Sequence, residues 1–323
     1  MARVLVAGAG AIGQWLGARL QQAGHSVQLL TTARHVAPLR ALRISGLASW
    51  SGALDAVTAP EDATGPFEAV VLTCKANQTQ HLAPAVAPLL APSGVFLSLQ
   101  NGLGNAQKIA RSVPAGRIAV ALTSHGVMLE APGRIRHAGA GATLVGPGPD
   151  GDEAPARKAL QLLADAGLEP EWHDAMRGFV WRKALINHAV NPVAALHLVA
   201  NGEVLARPEL HALASTMLRE GLALAERGRV PLPPGDLQGL LDSTLRKTAA
   251  NRVSMLQDVE AKRPTEIEQL TGRMVRLGEK LLVSMPRSEA VYGRVKDLET
   301  SYLGAERVRQ TVWDELPWEL EPF

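Results

Sequence analysis

The opening of the chain constrains its fold more than any other segment. An apolar run at residues 4–7 leads directly into Gly-Ala-Gly-Ala-Ile-Gly at residues 8–13, and a helix-type stretch follows. The order strand, glycine turn and helix is typical of a dinucleotide-binding domain. In such a turn Gly8 allows a tight bend, Gly10 lets backbone N–H groups approach a pyrophosphate, and Gly13 lets the helix pack against the strand. We therefore predict a bound dinucleotide.

Glycine turns also occur for reasons of backbone conformation alone, so the context of this turn matters. A second strand candidate follows at residues 25–30, and its end selects the cofactor. NAD sites place an acid there for the ribose 2′-hydroxyl, whereas NADP sites favour a cation. This chain offers Thr32 and Arg34 and has no acid before Asp55. The pattern favours NADP(H), and the alternative is that Arg34 only caps a solvated loop.

Composition narrows the class of protein. The 323 residues suffice for two domains, and 46% hydrophobic with 20% charged residues is typical of a globular protein. A net charge of +2 without a dense basic block argues against a nucleic-acid partner. The single cysteine, Cys74, cannot form an internal disulfide, and no apolar segment reaches the length of about twenty residues that crosses a bilayer. We expect a cytoplasmic protein without a membrane partner.

Strand-type runs alternate with helix-type runs through the first half of the chain. The buried-strand candidates are residues 67–73, 95–99 and 118–122. This alternation predicts an α/β fold with a doubly wound sheet. Two later runs, 134–137 and 142–145, have glycines between them and look like a hairpin.

Strand signals stop after about Asp174. The remaining sequence has helix-type runs separated by proline and glycine clusters, such as residues 230–235. We predict an NADP-binding domain over residues 1–174 and an all-helical substrate and catalytic domain over residues 175–323. The tail from Trp313 is expected to be partly packed.

Polar residues follow two of the predicted strands, where open α/β sheets bind ligands. Lys75 can attract a phosphate, and Asn101 can donate to a ribose, a nicotinamide or a substrate oxygen. A solvated lysine and a turn asparagine are the alternatives.

The segment from Trp181 to Pro192 carries the strongest chemical signal of the second domain. Lys183, Asn187 and Asn191 recur at every fourth position, which places them on one face of a helix. Polar groups buried on an apolar helix cost about 1–3 kcal/mol each unless they have hydrogen-bond partners. A ligand would supply these partners. Alternatively, the amides cap loops and the lysine extends to water.

Farther along, Pro264 is expected to end or kink a helix. Thr265 and Glu268 have the spacing of a capping box, so Glu266 would open a new helix, where the helix dipole favours a carboxylate. This structural role alone would explain Glu266.

Together these segments resemble the ketopantoate reductase (2-dehydropantoate 2-reductase) family, in the family's order and over nearly the whole chain. The matching pieces are residues 8–13, Lys75, Gln100-Asn101-Gly102, Trp181-Arg182-Lys183, Asn187, Asn191-Pro192, Asn201-Gly202-Glu203, residues 254–258 and Thr265-Glu266-Ile267. The resemblance implies a Rossmann-type doubly wound sheet followed by an all-helical domain. It also implies NADPH-dependent reduction of 2-dehydropantoate to (R)-pantoate, in pantothenate and coenzyme A synthesis.

The resemblance also assigns roles to residues. Lys183 would be the general acid, and Glu266 would lie beside the nicotinamide and the reacting groups. Substrate contacts are implied for Asn101, Lys183, Asn187, Asn191, Asn201 and Ser254. Cofactor contacts are implied for Gly8, Ala9, Gly10, Ala11, Ile12, Gly13, Thr32, Arg34, Lys75, Asn101, Val127 and Glu266. One departure concerns the family's arginine after the second strand, which aligns with Thr32 and leaves Arg34 as a displaced substitute.

Two other functions stay open on the sequence. A reductase of the same architecture could act on another 2-oxo acid, and a non-catalytic dinucleotide sensor could keep the glycine turn. The sensor has no need of a proton donor, so the presence of Lys183 argues against it. The expected partner is a small-molecule 2-oxo acid, with no metal and no nucleic acid, and a homodimer is left open.

Overall fold

The structure is a computed structural model that describes residues 1–305 and Val308. The chain divides into two compact units, one of residues 1–176 and one that begins at Arg177. The tail from Trp313 lies outside the described residues. Among the helices that are described, none is long and apolar enough to cross a bilayer.

The first unit combines strands with five α-helices. Its strands are β1 (Arg3–Ala7), β2 (Ser26–Leu30), β3 (Leu42–Gly46), β4 (Trp50–Gly52), β5 (Asp55–Val57), β6 (Phe67–Leu72), β7 (Leu90–Ser98), β8 (Ile118–Thr123), β9 (Gly126–Ala131), β10 (Arg134–Gly139), β11 (Thr143–Pro147) and β12 (Glu171–Trp172). Its helices are α1 (Ala11–Gln22), α2 (Ala33–Leu39), α3 (Thr79–Val86), α4 (Asn105–Ile109) and α5 (Glu153–Asp165).

Eight strands form the main sheet, in the order β12-β11-β8-β7-β6-β1-β2-β5. All neighbours pair in parallel except β11, which runs antiparallel to β8. Strand β1 is apolar at successive positions because it is buried on both sides of the sheet. Val4 and Val6 pack in the core that holds α1 and α5, whereas Leu5 and Ala7 pack in the core that holds α3 and α4. The predicted doubly wound α/β sheet is confirmed.

A second, smaller sheet has the order β4-β3-β10-β9. The pairing of its strands shows that the predicted hairpin of residues 134–137 with 142–145 is wrong. Strand β10 instead pairs antiparallel with β9 and parallel with β3, while β11 joins the main sheet. The turn into β10 uses Gly133, whose φ is +70°. Gly141 serves a close approach, since a Cβ there would lie 2.3 Å from backbone atoms of Ser124.

The second unit is helical throughout its described part, as predicted. Its helices are α6 (Met176–His197, which starts at the unit boundary), α7 (Asn201–Ala206), α8 (Pro208–Arg227), α9 (Leu237–Lys247), α10 (Ser254–Glu260), α11 (Arg273–Leu281) and α12 (Pro286–Leu303). A π-helical turn at Glu268–Gly272 leads directly into α11. Such turns are rare and are frequent at functional sites.

Candidate active site

Two glycines of the opening turn are required by close packing. Gly8 has a φ of +122°, and a Cβ there would lie 2.5 Å from the backbone nitrogen of Cys74. A Cβ on Gly13 would lie 1.9 Å from the carbonyl oxygen of Gly8. The hydroxyl of Thr73 donates to that same oxygen over 2.7 Å. The turn therefore joins β1, α1 and the end of β6 without room for a side chain at either glycine.

Gly10 serves a different purpose, because nothing lies within 4 Å of the position its Cβ would take. It is the N-cap residue of α1, and its carbonyl accepts the N–H of Gln14 over 3.0 Å. The first N–H groups of a helix attract anions, and a residue without a side chain leaves them accessible. Ala11 and Ile12 begin this helix and are half-buried, and Ala9 is buried. The turn thus fits a dinucleotide pyrophosphate.

Gln14 is a structural part of this turn that the sequence reasoning missed. Its side-chain amide is buried and donates to the carbonyl of Ala9 over 2.8 Å. The bond fixes the turn from the helix side. The sequence signal that could have identified Gln14 is a polar residue among the apolar residues of this helix.

At the end of β2, Thr32 is the exposed N-cap residue of α2, and Arg34 is exposed in the first turn. The Arg34 Nε donates to Nε2 of His35 over 3.1 Å. Burial and the neighbouring Arg34 charge lower the pKa of His35, so its imidazole is neutral and can accept this bond. The predicted cation therefore lies at the strand end, oriented by a histidine that the sequence reasoning did not single out.

The loop that carries the half-buried Lys75 is held from α4 and from the end of β7. The Gln100 side-chain amide donates to the carbonyl of Cys74 over 3.0 Å. Lys108, which is buried, donates to the carbonyl of Ala76 over 3.1 Å. These two bonds flank Lys75 and fix its loop at the carboxyl ends of the strands.

Asn101 follows β7 with its side chain exposed. Its carbonyl accepts from the side-chain amide of Asn105 over 2.8 Å, and the Asn105 oxygen accepts from Thr79 over 3.2 Å. Positive φ angles at Gly102 (+87°) and Gly104 (+73°) complete the turn. The main chain of Asn101 is thus fixed while its amide faces outward. Val127 is half-buried in β9.

In the second unit, Lys183, Asn187 and Asn191 lie on the single helix α6, as the spacing predicted. All three are half-buried, and the neighbouring Leu185 and Val190 are buried. The helix therefore carries a polar stripe within apolar surroundings.

Of the three residues in this polar stripe, Lys183 has a strongly shifted pKa. Burial of its ammonium end lowers the pKa from 10.5 to about 8, and the carboxylate of Glu266 opposes this by raising it. A group of this kind is protonated at neutral pH and releases its proton readily, which suits a general acid.

Glu266 is half-buried, directly before the π-helical turn, and its carbonyl accepts the N–H of Leu270 over 3.0 Å. It therefore begins a helical segment as predicted, but the predicted capping box is wrong. The Thr265 hydroxyl accepts the N–H of Ile267 over 3.2 Å, and the carboxylate of Glu268 bonds instead to side chains of α11 and α12. The physical reason is that the main-chain N–H of Thr265, which the Glu268 side chain would accept in a capping box, donates to Glu299 instead.

Asn201 has an incompletely bonded side chain. Its amide nitrogen donates to the Thr248 hydroxyl over 2.7 Å, and its main-chain N–H donates to the carbonyl of Asn251 over 3.0 Å. Its side-chain oxygen is buried and accepts no hydrogen bond from the described part of the chain. Buried acceptors are nearly always satisfied, so this oxygen suits a ligand donor. Ser254 is exposed at the first position of α10.

A buried network behind α6 was missed by the sequence reasoning. His188 is fully buried, with its ring nitrogens 3.1 Å from the hydroxyls of Thr271 and Ser288. Ser288 in turn donates to Glu220 over 2.6 Å. Burial lowers the pKa of His188 to about 4, so the imidazole is neutral. The network ties the helix of Lys183 to the π-helical turn that follows Glu266.

Each of the two units matches a known protein family. Residues 4–150 match the family described as ketopantoate reductase PanE/ApbA, and residues 175–299 match the family of its C-terminal part. The 2-dehydropantoate 2-reductase of Archaeoglobus fulgidus is 32% identical over 299 residues, which cover 92% of this chain and 98% of the relative. The 2-dehydropantoate 2-reductase of Vibrio cholerae is 31% identical, with coverages of 93% and 98%.

Two solved structures share the fold of this chain. A PanE/ApbA family ketopantoate reductase from Ralstonia eutropha superposes with a TM-score of 0.85 at 27% identity, covering 93% of this chain and 99% of that one. D-mandelate dehydrogenase with NADH and anilino(oxo)acetate superposes with a TM-score of 0.87 at 26% identity, with the same coverages. The resemblance predicted from the sequence is confirmed, and the chain belongs to the ketopantoate reductase family.

Proposed function

We propose that the protein is a 2-dehydropantoate 2-reductase, an NADP-dependent oxidoreductase that reduces the 2-oxo group of ketopantoate to the hydroxyl of (R)-pantoate. The observation that carries this proposal is the ammonium of Lys183, whose pKa burial lowers to about 8 against the opposing charge of Glu266. Reduction of a ketone to an alcohol requires a proton donor of this kind in addition to a hydride donor.

Bound NADPH would supply the hydride. As negative charge develops on the 2-oxo oxygen, Lys183 stabilises it and donates its proton to that oxygen, which gives the alcohol and a neutral amine. General acid catalysis of this type contributes about 10²- to 10⁴-fold. Glu266 stabilises the ammonium form, so the lysine carries its proton when the substrate arrives.

The amide side chains would hold the substrate. Asn187 and Asn191 project from the helix that carries Lys183, so they can bond polar groups of the molecule whose oxygen the lysine meets. Asn201 offers a buried oxygen that needs a donor, such as a substrate hydroxyl. Ser254 is exposed and can bind the substrate carboxylate, and Asn101, exposed in the first unit, offers an amide to a ligand oxygen.

We further propose NADPH as the preferred dinucleotide, held by residues 1–174, while residues 175–323 hold the substrate. The turn around Gly10 would receive the pyrophosphate, and Lys75 would add a positive charge. Arg34, exposed at the end of β2, would bind the 2′-phosphate in place of the aligned Thr32. The expected location is the cytoplasm.

Parallel assays of cofactor oxidation test the proposal. NADPH and NADH are each titrated with ketopantoate, pyruvate and benzoylformate, and kcat/KM is compared across the six combinations. The proposal expects the highest value for NADPH with ketopantoate. A higher value for benzoylformate would indicate a reductase of another 2-oxo acid, and binding of NADPH without turnover of any substrate would indicate a sensor.

A further inference from the structure

A buried carboxylate on the last helix fixes the residue that precedes Glu266. Glu299 of α12 is 1% exposed, and one of its oxygens accepts both the main-chain N–H and the hydroxyl of Thr265, each over 2.7 Å. Its other oxygen lies 3.3 Å from the ammonium of Lys296. Bonds to a buried, paired carboxylate are stronger than those between neutral groups. Thr265 is therefore held at two atoms.

The hydroxyl of Thr265 also bonds the residue that follows Glu266. It accepts the N–H of Ile267 over 3.2 Å, while the carbonyl of Glu266 accepts the N–H of Leu270 over 3.0 Å. Main-chain groups on both sides of Glu266 are thus bonded. Because backbone dihedrals set the direction of the Cα–Cβ bond, the side chain of Glu266 leaves the main chain in a defined direction.

Two tyrosines of the same helix hold the ends of this segment. The hydroxyl of Tyr292 donates to the carboxylate of Glu268 over 2.6 Å, and that of Tyr302 donates to the carbonyl of Arg263 over 3.1 Å. With Glu299 they form one contact surface of α12, since positions 292, 299 and 302 lie on one side of a helix. This surface holds the segment before Glu266, at Arg263 and Thr265, and the segment after it, at Glu268.

The position of Glu266 matters because its effect on Lys183 is electrostatic. The carboxylate favours the ammonium form, whereas burial favours the neutral amine. The attraction falls as the separation grows, so displacement of the carboxylate leaves the burial effect unopposed.

We propose that Glu299 is a positioning residue for the reaction: by bonding Thr265 it holds Glu266 at the separation from Lys183 that keeps the lysine protonated. The inference rests on the proposed function, in which Lys183 is the proton donor. It adds to that function a residue of α12 that acts through Thr265.

Four variants of the full chain test this inference. Thr265→Val removes the hydroxyl at nearly constant volume, and Thr265→Ser retains it. Glu299→Asp keeps the charge but withdraws the carboxylate by one methylene. Thr300→Val is the matched control, because it removes an exposed hydroxyl beside Glu299 whose bond within the described residues is to the carbonyl of Lys296 in the same helix.

The first measurement is the pKa of Lys183, obtained without turnover from the pH dependence of its acetylation by acetic anhydride, quantified by mass spectrometry. The second is kcat as a function of pH. We expect Thr265→Val and Glu299→Asp to lower the pKa by about one unit. The protonated fraction then falls about fivefold at pH 8 and by less than about a tenth at pH 6, and kcat follows it. Thr265→Ser and Thr300→Val retain the wild-type values.

An unchanged acetylation pKa in folded Thr265→Val and Glu299→Asp would overturn the inference, as would an equal shift in Thr300→Val. If Thr265→Val does not fold, Glu299→Asp decides. Failure of the proposed function looks different: Lys183→Ala would then retain full turnover, whatever the acetylation data show. A Lys183→Ala variant without turnover, combined with unmoved acetylation curves, contradicts the positioning role alone.

Discussion

At the scale of single residues, the proposed chemistry depends on the positive charge of Lys183, which lies among apolar residues of α6 and is partly shielded from water. Lys183 has buried neighbours on α6, and burial shifts its pKa to about 8. The period of the helix made this residue and Asn187 predictable from the sequence. Its charge partner was found only by resemblance to a family, because the residues around Glu266 fit an ordinary helix start equally well.

Replacement of Lys183 by alanine tests the proton donor. We expect kcat to fall about 10²- to 10⁴-fold, because the transition state loses its acid and its charge stabilisation. The dissociation constant of NADPH, measured by fluorescence titration, should change less than about twofold, since the cofactor turn lies in the other unit.

The matched control is Lys280→Ala, which removes an exposed lysine from α11 of the same unit. It should retain kcat within about twofold. A Lys183→Ala variant that equals this control in turnover would exclude Lys183 as the acid.

Arg34 tests the cofactor preference at the same scale. Arg34→Ala should raise KM for NADPH about tenfold while leaving KM for NADH unchanged, because only NADPH carries a phosphate for the guanidinium to bind. Steady-state assays with both cofactors measure the ratio. Thr32→Arg, which restores a cation at the aligned position, should lower KM for NADPH. Equal effects of Arg34→Ala on both cofactors would contradict a phosphate contact.

At the scale of elements, two glycines of the opening turn have different roles. Gly13 is required for packing, and Gly10 is proposed to leave room for the cofactor. Gly13→Ala places a Cβ 1.9 Å from the Gly8 oxygen, so we expect a large drop in the thermal unfolding midpoint. Gly10→Ala enters open space at an ordinary φ of −72°, so the midpoint should be retained. NADPH affinity should nevertheless fall about tenfold or more, because the methyl group occupies the space in front of the helix N-terminus.

Thermal unfolding and NADPH titration of both variants provide the measurements. Each variant is the control for the other, since both add one methyl group within the same turn. Unchanged NADPH affinity in Gly10→Ala would show that the cofactor does not approach this turn.

Several elements were predictable because their signals are local. The run at residues 67–73 is apolar at position 67 and from position 69 to position 72, as most of strand β6 must be when helices cover both faces of its sheet. The prediction of a hairpin was wrong because Gly139 and Gly141 do not form a turn between two paired strands; β10 and β11 belong to different sheets. Gly141 instead allows one backbone to approach another, and such a long-range requirement leaves no mark in the neighbouring sequence.

At the scale of the whole molecule, acid stability depends on histidines buried in neutral form. Burial lowers the pKa of His188 from 6.5 to about 4, so the folded state resists protonation. The contribution is fully present above pH 6.5 and is lost as the pH falls towards 4, by about 3 kcal/mol in total. We expect the urea midpoint of the wild type to drop between pH 7 and pH 5.

In His188→Gln, an amide that does not titrate replaces the imidazole. The variant should be less stable at pH 7, but its urea midpoint should change less between pH 7 and pH 5 than that of the wild type. Circular dichroism at 222 nm follows the transitions. Equal pH dependence in the two proteins would contradict this role of His188.

The buried polar contacts of the second unit could not be predicted from the sequence. Thr265 and Glu299 are 34 positions apart, and His188 and Ser288 are 100 apart. Each residue alone fits its own helix, and the pairing exists only after the helices pack. Periodicity and turn residues describe neighbours in the chain, so they identify the helices but not these bonds.

The spacing of the polar residues along α6 has a consequence for the proposed substrate choice. With a rise of 1.5 Å per residue, its lysine and the two asparagines are spaced about 6 Å apart along the axis. If these side chains bind the substrate as proposed, a compound that places its ketone at the ammonium and a second oxygen at an amide would be selected by the length of the carbon chain between the two oxygens. Homologues lengthened by one methylene should bind poorly even though their ketone is chemically the same.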